Sequence, residues 1–200
     1  MKSSNLRARG AVVALGGIIW GTAFLLAPSR PGHNSQVEIW AGGVFQLGVL
    51  VLLATIWSTA AAGSGRAARW VVAGEVILML LAVAWTVPYL FDANRPGTGV
   101  LAVLDACWPL SMAGLIAVGV LVARAGRWPA PLRHLPLAAS LLIPVDLAIS
   151  WAPTGVRTTV TGLYLAVAYG LLGLAMIRAA AVLSTTDRSV FAVPNQGETS

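Results

Sequence analysis

The chain has 200 residues, 58% of them hydrophobic and only 10% charged. A soluble domain carries about a quarter charged residues, so this composition excludes a water-soluble fold: too few polar side chains are present to cover its surface. The formal charge of +6 does not point to nucleic acid, because the basic residues fall between long apolar blocks instead of along one face.

Residues 1–9 are polar and basic, with Lys2, Arg7 and Arg9, and residues 10–27 form the first apolar run. The pair imitates a signal peptide. The run is long for one, however, and Ala27-Pro28-Ser29 is a poor cleavage site, so it is read as a retained first helix. Further apolar runs follow at 37–61, 70–91, 100–122, 132–151 and 158–183, separated by polar, Gly- or Pro-rich turns. Residues 184–200 are polar without periodicity and read as a disordered cytoplasmic tail. Each run is near the ~20 residues that cross a hydrocarbon core, and helices are the only unclosed way to pair every backbone group there. The expected fold is all-α: a single integral-membrane bundle of six transmembrane helices, residues 1–183.

Alternating the runs across a bilayer puts Lys2, Arg7, Arg9, Arg66, Arg69, Arg124, Arg127, Arg133, Arg178 and Arg188 on one side. Only Arg30, Arg95 and Arg157 fall on the other. The richer side is expected to be cytoplasmic, with both termini there, in the cell membrane. A faint repeat links the first two hairpins: Trp20, Phe24, Leu25 and Arg30-Pro31-Gly32 recur as Trp85, Tyr89, Leu90 and Arg95-Pro96-Gly97. Parallel duplications are known in transporters, although Arg-Pro-Gly also suits any turn.

Three acids fall inside apolar runs: Glu75, Asp105 and Asp146. An acid near the bilayer centre costs about 2.5–3.5 kcal/mol on insertion scales, so each should face the bundle interior or a wet cavity. The threading puts Asp105 and Asp146 at similar depth below the outer surface, on helices joined by a short turn, where the two carboxylates would approach and share a proton. Glu75 falls in the inner half, on a stripe with Met79, Ala82, Thr86 and Tyr89, and Gln46 is its expected partner. Proline frees the carbonyl four residues earlier: Pro109 frees that of Asp105, Pro144 that of Ser140 and Pro88 that of Ala84. Broken helices often line binding sites in membrane proteins.

Trp40, Trp57, Trp70, Trp128 and Trp151 fall at helix ends and read as an interfacial belt. Trp20, Trp85 and Trp108 fall deeper, with Tyr89 a turn above Trp85. The expected ligand site is an outer-half pocket of Asp105, Asp146, Trp108, Trp85, Tyr89 and Trp20, with Glu75 and Gln46 below it. It would suit a proton or a lipophilic cation through ion pairing and cation–π contact. Asp105 and Asp146 are also the candidate catalytic acids.

Gly16-Gly17, Gly42-Gly43 and the Gly170…Gly173 run are expected to allow close helix packing. The single cysteine, Cys107, excludes an intramolecular disulfide or a cysteine cluster. His33 and His134 lack ligand-spaced partners, so no metal site and no cofactor is expected. In general character, isolated acids among aromatics in a helical bundle, the chain resembles the small integral-membrane terpene cyclases. No motif matches, and no residue role is carried over.

Three functions are carried forward. The first is binding or transport of a proton or a lipophilic, cationic small molecule. The second is a membrane enzyme that protonates an isoprenoid-like substrate, and the third an accessory subunit of a membrane complex. The expected partners are the lipid bilayer and that small molecule, with a homo-oligomer or membrane complex left open and no nucleic acid.

Overall fold

The computed structural model describes residues 3–28 and 33–191, with side chains described over 5–28 and 33–180. Arg30-Pro31-Gly32, Lys2 and residues 192–200 lie outside the described residues. Among those described, every regular element is helical: α1 (Ser3–Leu26), α2 (Gln36–Ser58), α3 (Arg66–Tyr89), α4 (Val100–Asp105), α5 (Cys107–Ala125), a 3-10 turn (Leu132–His134), α6 (Leu135–Ser140), α7 (Leu142–Ala148) and α8 (Thr154–Phe191). Five stretches are long and apolar enough to cross a membrane: Asn5–Leu26, Gln36–Ser58, Arg66–Tyr89, Val100–Ala125 and Thr154–Ala180.

The fifth expected helix, 132–151, is not continuous. It is divided into the 3-10 turn, α6 and α7. The division follows from proline chemistry. Pro144 has no N–H to give the Ser140 carbonyl, and α6 ends at Ser140, with Leu141 between the two helices. Pro109 leaves the Asp105 carbonyl in the same state, and α4 ends at Asp105, with Ala106 before α5. Pro88 comes at the end of α3, where its missing donor costs little, and the helix stops one residue later at Tyr89. The last helix starts at Thr154, immediately after Pro153, whose carbonyl accepts from the N–H groups of Val156 and Arg157. Arg157 is therefore in a helical first turn, not in a loop. The backbone of α8 stays helical to Phe191, past the expected end at 183.

Sequential elements pack antiparallel. On α1 and α2, Gly48 lies against Val12, Gly16 against Phe45 and Gly42 against Trp20, so rising numbers on one helix meet falling numbers on the other. The most extensive pairing is α1 with α8, and it too is antiparallel. A Cβ added at Gly10 would stand 2.7 Å from the Gly173 carbonyl oxygen, and one at Gly162 would stand 2.8 Å from that of Gly21. Glycine is what lets these backbones touch, and in lipid such packing replaces the hydrophobic drive that water would supply. The α6–α7 segment runs antiparallel to α5, where Gly119 lies against Leu137. It is antiparallel to α8 as well, where Asp146 meets Thr161 and the Tyr164 hydroxyl donates to the Ala138 carbonyl.

An aromatic cluster in the core joins α1, α2 and α8: Phe45 meets Trp20 at a tilt, with centroids 4.6 Å apart, and Tyr169 edge-on at 4.8 Å. Both ends of the bundle are tied by polar contacts. At one end Arg9 donates to Ser58, Arg127 to Ser64 and the Trp128 indole to Thr59. Trp128 is thus buried and leaves the expected interfacial belt, because its N–H finds a partner inside. Trp40, Trp57, Trp70 and Trp151 are exposed. At the opposite end Asn34 donates to Asn94 Oδ1 and the Ala93 carbonyl, and Gln36 donates to the Tyr89 and Leu90 carbonyls while accepting from the Ala93 N–H.

Candidate functional site

Two cavities lie side by side toward the end where Asn34 and Gln36 join the loops. The first, about 280 Å³, is framed by Trp20 of α1, Glu38 and Gln46 of α2, Trp85 of α3, and Asp105 and Trp108 at the α4–α5 break. The second, about 300 Å³, holds Asp146, Arg157, Thr161 and Leu142. Trp20, Phe24 and Trp108 line both. They form the partition between them, with the Trp20 and Trp108 rings meeting edge to face at 6.0 Å.

Local chemistry explains these positions. Gly42 makes room for the Trp20 indole: a Cβ there would lie 3.3 Å from Nε1. Glu38 occupies the first turn of α2, where a carboxylate is favoured by the helix dipole, and its N–H donates to the capping Ser35 hydroxyl at 3.4 Å. The Thr86 hydroxyl, in the wall of the first cavity, donates to Gln46 Oε1 at 2.9 Å and to the Ala82 carbonyl at 3.1 Å. Asp105 is exposed and, among the described residues, has no hydrogen-bond or ion-pair partner.

Asp105 and Asp146 do not form the expected pair. Asp146 is engaged by a cation instead: Arg157 Nε donates to Oδ1 at 2.8 Å, its Nη2 donates to Oδ2, and Thr161 adds a bond to Oδ1 at 3.1 Å. Two acids in one dry recess would repel, whereas a planar guanidinium satisfies both oxygens of one carboxylate together. Sequence reasoning missed Arg157 because hydropathy starts the last helix at 158. Pro153, a helix-start signal, marks the earlier beginning that turns Arg157 toward an acid eleven residues back. Phe24 and Glu38 were also missed as lining residues.

Tyr89 lines neither cavity. It is buried, stacks on Trp85 at 4.5 Å, and lies under Gly97, where an added Cβ would be 2.9 Å from its hydroxyl. Glu75 is distant from both cavities in sequence register and buried to 2% exposure. Its partner is Ser111 of α5, whose hydroxyl donates to Oε1 at 3.0 Å, and not Gln46, which is taken by Thr86. Glu75 Oε2 has no partner among the described residues and lies against the bare Cα of Gly114. This is a polar clasp between α3 and α5, and Glu75 and Ser111 line neither cavity. Among the described residues, no three His, Cys, Asp or Glu side chains are grouped to hold a metal.

With this geometry in hand, comparison with known proteins adds no identity. No family model, characterised protein or solved structure matches the chain. The arrangement is read from its chemistry: Asp105, without a partner among the described residues, lies among tryptophans with Glu38 in the same wall, and Asp146, paired with Arg157, lies across an aromatic partition.

Proposed function

We propose that the chain is a multi-pass protein of the cell membrane that crosses six times and binds a lipophilic organic cation in its first cavity, as a transporter or receptor for it. The antiparallel contact of α1 with α8 supports the crossing number. Helices one and five of a strictly alternating set of five would run parallel, so the broken α6–α7 segment is counted as a crossing. Non-helical backbone is tolerated at membrane depth when protein or a cavity covers it, and this break borders the second cavity. The basic excess at the end where Arg9 and Arg127 make their contacts supports a cytoplasmic placement for that end.

One observation carries the ligand class: Asp105, without a partner among the described residues, shares a cavity with Trp20, Trp85 and Trp108. A carboxylate supplies charge, and indole faces attract a desolvated cation by about 2 kcal/mol. The cavity's volume of about 280 Å³ is at the lower edge of the range for ligand pockets, which favours a small cation. A cyclase must enclose its carbocation from water, and the exposure of Asp105 favours binding over that chemistry.

The test is tetraphenylphosphonium binding to the protein in lipid nanodiscs, with protein-free discs as background. Saturable binding that Asp105→Asn weakens by about tenfold or more is the expected result. Equal binding by both proteins, or none by either, would defeat the reading and leave the accessory-subunit role.

A further inference from the structure

Building on the cation reading of the first cavity, we propose that Asp146 is a second site for the same class of ligand, held shut by Arg157 acting as a tethered competitor. The two cavities are built alike. Each has one aspartate in its wall beside the same three aromatic side chains, Trp20, Phe24 and Trp108, and the first adds Trp85 and Glu38. They differ in what stands on the carboxylate. In the second cavity the position of a ligand's positive group is already filled by the Arg157 guanidinium, which spans both oxygens of Asp146.

The pair is built to open. Its side chains retain 44% exposure for Arg157 and 27% for Asp146, so the guanidinium can withdraw without passing through packed protein. Among the described lining residues, Asp146 is the only acid and Arg157 the only base. Thr158 directs its hydroxyl to the Thr154 carbonyl at 2.6 Å and makes no competing claim on the acid. Thr161 stays on Oδ1 whether or not Arg157 is there and keeps the carboxylate aimed. Removing Arg157 would therefore leave an aspartate beside Trp20 and Trp108, as Asp105 is in the first cavity. A cation can reach Asp146 only by displacing Arg157, and the return of the arginine expels it.

The experiment measures tetraphenylphosphonium stoichiometry by equilibrium dialysis against nanodiscs holding the full chain. Wild type takes up one equivalent, Arg157→Gln two, and the double variant Arg157→Gln/Asp146→Asn one again. A single equivalent in Arg157→Gln, or a second equivalent that survives Asp146→Asn, overturns the proposal. Arg157→Lys keeps the charge but loses the bidentate fork. It guards against a misfolded glutamine variant, since its second equivalent must enter at lower ligand concentration than any in wild type; if none does, the proposal is also overturned. Failure of the underlying reading looks different: wild type itself then binds nothing that depends on Asp105.

Discussion

Trp20 and Trp108 meet edge to face, with ring planes at 88°, and both belong to the walls of two cavities. The contact joins the first helix to the turn that follows the α4–α5 break. It places one aromatic partition between a carboxylate that has no partner among the described residues and one that has an arginine.

Removing the partition should therefore change selectivity as well as strength. Trp108→Ala is expected to merge the two cavities and to delete one indole face, weakening tetraphenylphosphonium binding about five- to thirtyfold for a loss of ~1–2 kcal/mol. It should also admit bulkier cations that wild type rejects. Trp108→Phe keeps an aromatic wall and should lose less. Titrations with a series of phosphonium ions of increasing size measure both effects.

The α1–α8 contact makes a stability prediction independent of any ligand. Gly173→Ala drives a methyl into the Gly10 carbonyl and Ala14, and backbone cannot step aside as a flexible side chain would. A cost of about 1–3 kcal/mol is expected. Gly74→Ala, on α3 with nothing within 4 Å of the new Cβ, should be neutral or stabilising by up to ~1 kcal/mol through helix propensity. Unfolding of the two variants in mixed micelles, monitored by circular dichroism, compares them directly.

How far these relationships could be read from residues alone depends on their range. The helix breaks at Ala106 and Leu141 follow from Pro109 and Pro144 by a rule four residues long, and the five spanning-length helices follow from apolar runs. Partner choice is longer in range. Ser111 reaches Glu75 because α5 packs on α3, while Gln46, on the sequence-adjacent α2, is already used by Thr86; neighbours in sequence do not fix which polar groups meet. Trp128 resembles its belt-forming counterparts in sequence and differs only in finding Thr59 beside its indole. Asp146 was expected to face Asp105, yet electrostatics favours an opposite charge, and Arg157 became available once Pro153 started α8 a turn early.

The Glu75–Ser111 clasp is expected to stabilise by satisfaction, not by strength. Ser111→Ala leaves Glu75 with neither oxygen bonded and should cost about 1–3 kcal/mol, whereas replacing both partners by apolar groups can be nearly neutral. The double variant Glu75→Leu/Ser111→Ala should thus unfold closer to wild type than Ser111→Ala does. A double-mutant cycle in micelles measures this, and strictly additive losses would contradict the clasp.

Gln36 offers the last prediction. Its one side chain closes the end of α3 by donating to the Tyr89 and Leu90 carbonyls, and it holds the next loop by accepting from Ala93. These groups would otherwise join the unsatisfied carbonyls that every helix end exposes. Gln36→Ala should loosen the loop over 90–99 while leaving the core intact, because Asn34 still binds Asn94 and Ala93. Since Asn34 also lines the first cavity, the variant should speed hydrogen exchange at the Ala93 amide and raise the dissociation rate of tetraphenylphosphonium with little change in unfolding. Exchange mass spectrometry reads the first effect and stopped-flow dilution the second. Unchanged exchange at Ala93 would mean that the Asn34 contacts alone secure this end of the bundle.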